Sequence, residues 1–322
     1  MILKRAARAN AGQLCVGRSP SGLRFLTNPH VLPRMSCPLS PDTRSETLEV
    51  SLASRQGNGL RIGVFDSGLG GLSVLRALRE HMPGADISYV ADSGHAPYGE
   101  REDVFIQARS QHISDFLVHQ GVDAIVVACN TATAAAIHHL RLRCGNLPVI
   151  GVEPGVKPAV AHSASKRVGV LATPGTLGSL KFRRLVEQHA QDAQLVLQAC
   201  PGLAREIELG LLDTPALREM VARFCAPLRE AQVDTVVLGC THYPFVAPLI
   251  QAELGPGVHI VDTAQAVAQH TQRVSEKLRL APQAPQRPTS GETRLWSSAD
   301  PQHLQRVAQA WLGLDATASA LP

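Results

Sequence analysis

Two ten-residue segments, VDAIVVACNT at 122–131 and VDTVVLGCTH at 233–242, align without a gap and set Val122 on Val233, Asp123 on Asp234 and Cys129 on Cys240. A second pair, RIGVF at 61–65 and RVGVL at 167–171, precedes them at almost the same interval. The longer segments are apolar at successive positions, so their strands bury both faces, as a parallel sheet covered by helices requires. The repeat therefore implies two similar α/β halves, each presenting one cysteine at the C-terminal end of a strand. In open α/β sheets ligands bind beyond those ends.

The stretches between the repeats agree with this alternation. GLSVLRALREHM spaces Leu72, Leu75, Leu78 and Met82 as a helix does, ADISYVAD reads as a strand, and EDVFIQARSQHISDFLVHQ reads as a helix stopped by Gly121. Further strands are expected in LPVIGVEP, KRVGVLAT, AQLVLQAC, GVHIVDTA and ETRLWSS, with helices near 178–191, between 203 and 231, over 264–279 and after Asp300-Pro301. APQAPQRP at 281–288 reads as a linker.

Of the 322 residues, the first 44 carry seven basic residues against the single acid Asp42, so the formal charge of +4 belongs to the leader and the body is near neutral. A nucleic-acid partner is not indicated. No uninterrupted apolar run of roughly 18 residues is present, which argues against a membrane span. Residues 1–58 mix Arg, Ser, Pro and Gly with little periodicity and read as a disordered extension, a transit-type leader or an early start. Seven cysteines in no CxxC pair point to a reducing, cytoplasmic setting without a disulfide framework, and no metal-binding spacing occurs.

A cysteine closing an apolar strand is ordinarily a small buried hydrophobe, and Cys144, Cys200 and Cys225 are assigned to that class. Cys129 and Cys240 stand apart because the repeat makes them equivalent and each precedes polar residues, Asn130-Thr131 and Thr241-His242. Asn130 or Thr131 could simply cap the following helix. Capping leaves the matched thiols unexplained. Two facing thiols suit the inversion of a stereocentre with a weakly acidic C–H, where one proton leaves one face and another arrives on the opposite face. Helix N-termini, a nearby cation and donors are expected to lower the thiol pKa values.

FDSGLGG at 65–71 has neither the dinucleotide fingerprint nor a P-loop lysine. Asp66 could cap the next helix, or could point with Ser67 into the crevice that holds Cys129.

FDSGLGG, ADSGHAPYGER (91–101), ACNTATAA (128–135), GVEPGVKPA (151–159) and GCTHYPF (239–245) together resemble the glutamate racemases, in order and over nearly all of 60–262. The resemblance implies cofactor-independent interconversion of L- and D-glutamate for peptidoglycan, with glutamate as the small-molecule partner. It admits a homodimer. Cys129 and Cys240 would transfer protons, assisted by Asp66 and His242 respectively. Asp66 with Ser67, Tyr98 with Gly99, Asn130 with Thr131, and Thr241 with His242 would bind substrate, and Asp92 and Glu153 would be supporting acids in the cleft. The implied fold is two doubly wound, mainly parallel α/β domains about a pseudo-twofold axis, residues 59–152 with 260–313 and residues 153–259. Three alternatives remain: an aspartate or hydantoin racemase, a pyridoxal enzyme using one of the few lysines such as Lys157, and a small-ligand-binding protein with inert thiols.

Overall fold

The computed structural model describes residues 59–279 and 290–322. The leader and the 281–288 linker lie outside the described residues.

Among the described residues ten strands form two sheets, and every pairing in both is parallel. The first sheet holds β1 (Arg61–Asp66), β2 (Asp86–Ala91), β3 (Ala124–Val127) and β4 (Val149–Gly151). The second holds β5 (Arg167–Ala172), β6 (Gln194–Ala199), β7 (Thr235–Gly239) and β8 (His259–Val261). Late in the chain, β9 (Thr293–Ser297) and β10 (Ala318–Ala320) return to extend the first sheet beyond β2.

Strand order runs β10-β9-β2-β1-β3-β4 in the first sheet and β6-β5-β7-β8 in the second. Omitting the two late strands, the orders are the same. The repeated sequence pairs fall on β1 with β5 and on β3 with β7, so the echo in the sequence is an echo of topology. In each sheet the chain first steps to one side of the founding strand and then crosses to the other. The gap between β1 and β3, and that between β5 and β7, are thus the switch points where such sheets leave room for a ligand.

Burial on both faces explains the apolar runs. On the first sheet, Ile62, Val64 and Val126 face one core with Leu72, Leu75 and Leu78 of the helix Leu72–His81, whereas Phe65, Ile125 and Val127 face the other with Ile113, Leu117 and Ile137. On the second, Leu171, Val236 and Leu238 pack with Leu217, Val221 and Leu228 of the helix Pro215–Glu230, and Val168, Val170 and Val237 pack with Val156 and Phe182. At about 25 cal/mol per Å² of apolar surface removed from water, this burial is the principal force holding each sheet to its helices. Val267, Ala268, Leu295, Leu304 and Val307 from the end of the chain share the first of these cores.

Two local readings are corrected. The helix expected near 178–191 is two, Pro174–Gly178 and Leu180–His189, because the Ser179 hydroxyl accepts the Phe182 N–H and starts a new helix. The helix Val156–His162 and strand β10 also went unread. Gly121 does stop its helix, with φ of +71°, and Asp300 caps the helix Pro301–Leu312 by accepting the Gln302 N–H.

Candidate active site

The ends of β1 and β3 carry Asp66, Ser67 and Cys129; the ends of β5 and β7 carry Thr173 and Cys240. All five are buried. The Thr241 hydroxyl donates to Asp66 Oδ1 at 3.0 Å, linking the first switch point directly to the second. The Ser73 hydroxyl, bonded to the carbonyls of Gly70 and Thr241, adds a second link.

Close approach explains the glycines of the FDSGLGG turn. A Cβ on Gly68 would lie 2.1 Å from Glu208 Oε1, and one on Gly70 would lie 2.3 Å from His242 Nδ1. Neither site has a positive φ, so it is space and not backbone freedom that requires glycine here. Asp66 does not cap the following helix. Its Oδ2 accepts the Gly68 N–H at 3.0 Å, which bends the turn, while Oδ1 is held by Thr241. Burial, reinforced by Glu208 and opposed by His242, raises the Asp66 pKa.

At Cys129 the structure also reassigns the cap. The cysteine itself occupies the N-cap of the helix Asn130–Cys144, its sulfur accepting the Ala132 N–H at 3.4 Å, and Asn130 and Thr131 are the first helical residues. Ser67 Oγ lies 3.7 Å from the sulfur. The expected lowering of this thiol's pKa is not found: burial and the nearby Asp66 carboxylate push it up to about 12, outweighing the helix N–H. Cys129 therefore holds its proton at neutral pH.

Cys240 has a different neighbour. His242 Nδ1 lies 3.6 Å from its sulfur, and the other ring nitrogen meets Glu208 Oε1 at 2.5 Å. Burial would lower the imidazole pKa, yet the contacts with Cys240 and Glu208 prevail and raise it well above its usual value. A retained imidazolium puts a cation beside the Cys240 sulfur. Glu208 also accepts the Leu69 N–H at 2.5 Å and the Ser93 hydroxyl at 3.3 Å, and so joins the glycine turn to His242. Sequence reading missed Glu208, which ends the short helix Leu203–Glu208 inside an unremarked LAREIE segment far from any motif.

A second group of hydroxyls gathers at the start of the helix Asn130–Cys144. Thr131 Oγ1 is 3.0 Å from Thr173 Oγ1 and 3.3 Å from Thr176 Oγ1, and the Thr173 hydroxyl donates to Thr176 at 2.9 Å. The buried Asn130 amide oxygen has no hydrogen-bond partner among the described residues. Gly99 abuts this group, since a Cβ there would lie 2.6 Å from Thr173. Thr173 could have been found by laying the repeat out further, because it falls opposite Ser67; Thr176 falls opposite Gly70 and carries no such signal.

The remaining expected residues sit differently. Asp92 is buried and fully engaged: Arg109 Nη2 and Nε bind its two oxygens at 2.8 and 3.0 Å, His95 Nδ1 lies at 2.9 Å, and the Tyr98 hydroxyl donates to it. Burial alone would raise its pKa, but the Arg109 and Tyr98 hydrogen bonds win and hold it low. Asp92 thus orients Tyr98 instead of presenting a free acid. Glu153, just past β4, is 53% exposed, pairs with Lys181 and lines one pocket with Asn130 and Thr176. Lys157, Lys166 and Lys277 are exposed. Among the described residues no group of three or more His, Cys, Asp or Glu side chains could hold a metal ion.

Comparison with known proteins agrees with this geometry. The sequence model of the Asp/Glu/Hydantoin racemase family matches residues 72–271. A glutamate racemase from Methylococcus capsulatus is 50% identical over 259 residues, 80% of this chain and 94% of that protein. Among solved structures, a glutamate racemase isoform from Bacillus anthracis superposes with a TM-score of 0.73 at 30% identity, covering 82% of this chain and 98% of that one. The Escherichia coli glutamate racemase, in complex with L-glutamate and the activator UDP-MurNAc-ala, gives 0.72 at 30% identity over 82% and 98%. Two equivalent strand-end thiols in twinned parallel sheets, and likeness of this extent, establish that the chain belongs to the Asp/Glu/Hydantoin racemase family.

Proposed function

We propose that this protein racemises glutamate by moving one proton off Cα and another on from the opposite side, with Cys129 and Cys240 as the two acid/base groups. The observation that carries the reading is the pairing of switch points: two topologically equivalent thiols, brought together through the Asp66–Thr241 hydrogen bond. The similarity to glutamate racemases over most of the chain supports glutamate as substrate, and hence a cytoplasmic supply of D-glutamate for peptidoglycan. In this reading the lobes are residues 59–152 with 260–313, and residues 153–259.

Substrate would take over contacts that the protein now makes with itself. The Ser67, Thr131, Thr173, Thr176 and Thr241 hydroxyls are donors for the two carboxylates, and the open Asn130 Oδ1 and Asp66 are acceptors for the ammonium. One sulfur, as thiolate, accepts the α-proton; the electron pair left on Cα delocalises into the carboxylate; the other thiol then delivers its proton to the far face. After one turnover the sulfurs have exchanged roles, ready for the opposite enantiomer. In the resting protein Cys129 holds its proton, and the imidazole of His242, its pKa raised, stands beside Cys240. No other reactant is needed for the proton balance.

Incubation with L-glutamate in D2O without pyridoxal phosphate tests this directly. The α-proton NMR signal should vanish while D-glutamate accumulates to an equal share. Exchange with aspartate and not glutamate would move the substrate within the family, and a requirement for pyridoxal phosphate would overturn the two-thiol reaction.

A further inference from the structure

We infer that His303, on the helix Pro301–Leu312, is a positioning residue for the Cys240 side of the reaction, acting through the backbone of Glu208. Its Nε2–H donates to the Glu208 carbonyl at 2.9 Å, which fixes the Nε2–H form of the ring. That carbonyl ends the helix Leu203–Glu208, where the preceding two carbonyls are taken up locally by Leu209 and Gly210. The chain then turns at Gly210, φ +85°, so tightly against the other helix that a Cβ would lie 3.1 Å from Val307 and 3.3 Å from His303.

Ile207 is buried in the core of the second sheet and the Glu208 carboxylate has its own contacts, but past Glu208 the chain is loosely seated. Leu209 and Leu211, flanking Gly210, are 60% and 65% exposed, so apolar burial contributes little there. The helix bearing His303 is, in contrast, firmly seated: Asp300 caps it, and Leu304, Val307 and Ala308 enter the core beneath the first sheet. A rigid element of one sheet thus holds the backbone of the residue whose carboxylate meets His242, the Leu69 N–H and Ser93. A shift of about 1 Å in Glu208 would loosen the His242 contact, and misplacement on that scale costs up to 10²-fold in rate. Cys129, whose hydrogen-bond neighbours are Ser67 and the Ala132 N–H, touches neither Glu208 nor His242 and feels them only through Asp66.

The inference rests on the two-thiol reading, and its test separates the two. His303→Leu removes the donor, and His303→Gln restores an N–H near the Nε2 position. Alkylation of each thiol by iodoacetamide, followed by peptide mass spectrometry, should change rate at Cys240 and not at Cys129 in His303→Leu, with the wild-type rates returning in His303→Gln. With α-deuterated L- and D-glutamate, kcat of His303→Leu should fall about tenfold with KM little changed. The deuterium effect on kcat/KM should grow in one direction only, the same direction as in Glu208→Gln. A deuterium effect that grows equally in both directions, unchanged alkylation at Cys240, or a Gln variant no better than Leu would overturn the role of His303. A wild type inert toward glutamate that still shows the thiol-selective alkylation change would sink the racemase reading alone.

Discussion

Cys129 and Cys240 end equivalent strands of two sheets wound in the same order, yet their surroundings are of opposite character. Cys129 caps a helix beside a buried carboxylate, and its proton is held up to about pH 12. Cys240 sits beside an imidazole that keeps its proton because Glu208 stands behind it. The aligned repeat shows where the divergence lies: Asp66 falls opposite Ala172, and Asn130-Thr131 opposite Thr241-His242. Topology places the two sulfurs alike, whereas the residue types that changed between the copies decide what stands beside each, a buried carboxylate at Cys129 and an imidazole at Cys240.

The largest effect should come from removing either sulfur. Cys129→Ser and Cys240→Ser should each lower racemisation by roughly 10²–10⁴-fold with the circular dichroism spectrum unchanged. Equal activity in either variant and wild type would end the comparison. Next, His242→Asn should lower kcat by roughly 10²-fold, and it should slow alkylation of Cys240 while leaving Cys129 unchanged. Combining it with Glu208→Gln should cost little more than the worse single change, because the two side chains act as one unit. Full additivity would break the proposed link.

The pH dependence sharpens the contrast from the other side. Alkylation of Cys129 should be slow at pH 8 and keep rising toward pH 12, as its raised pKa requires. The smallest effect concerns support and not chemistry. Asp92→Asn should cost about 2 kcal/mol near pH 7, from the lost Arg109 and Tyr98 bonds. Because the folded pKa of Asp92 is depressed, this stabilisation is present above the ordinary carboxylate range and is lost as pH falls through the folded value. The urea-unfolding difference between wild type and variant should accordingly shrink in acid.

Much of the fold was legible because it is written in short-range pattern. The doubled apolar strands, the Gly121 stop and the Asp300-Pro301 start all follow from local burial and capping, and all appear where expected. The site was legible only in part. Motif resemblance named Asp66, Ser67, Cys129, Cys240 and His242, which the structure gathers around the two switch points. It also named Glu153, which pairs with Lys181 beside Asn130 and Thr176, and it passed over Glu208 and His303, whose partners lie 34 and 95 residues away.

From residue order alone come the twin α/β architecture and the candidate thiols, since a repeated apolar segment buries itself in the same way twice. Folding in three dimensions settled the protonation pattern: desolvation and neighbouring charge act through space, and the carboxylates and imidazoles that set them come from distant parts of the chain. Asp66 reaches Cys129 across the ends of β1 and β3, and Glu208 reaches His242 across 34 residues of chain, only once each half has folded.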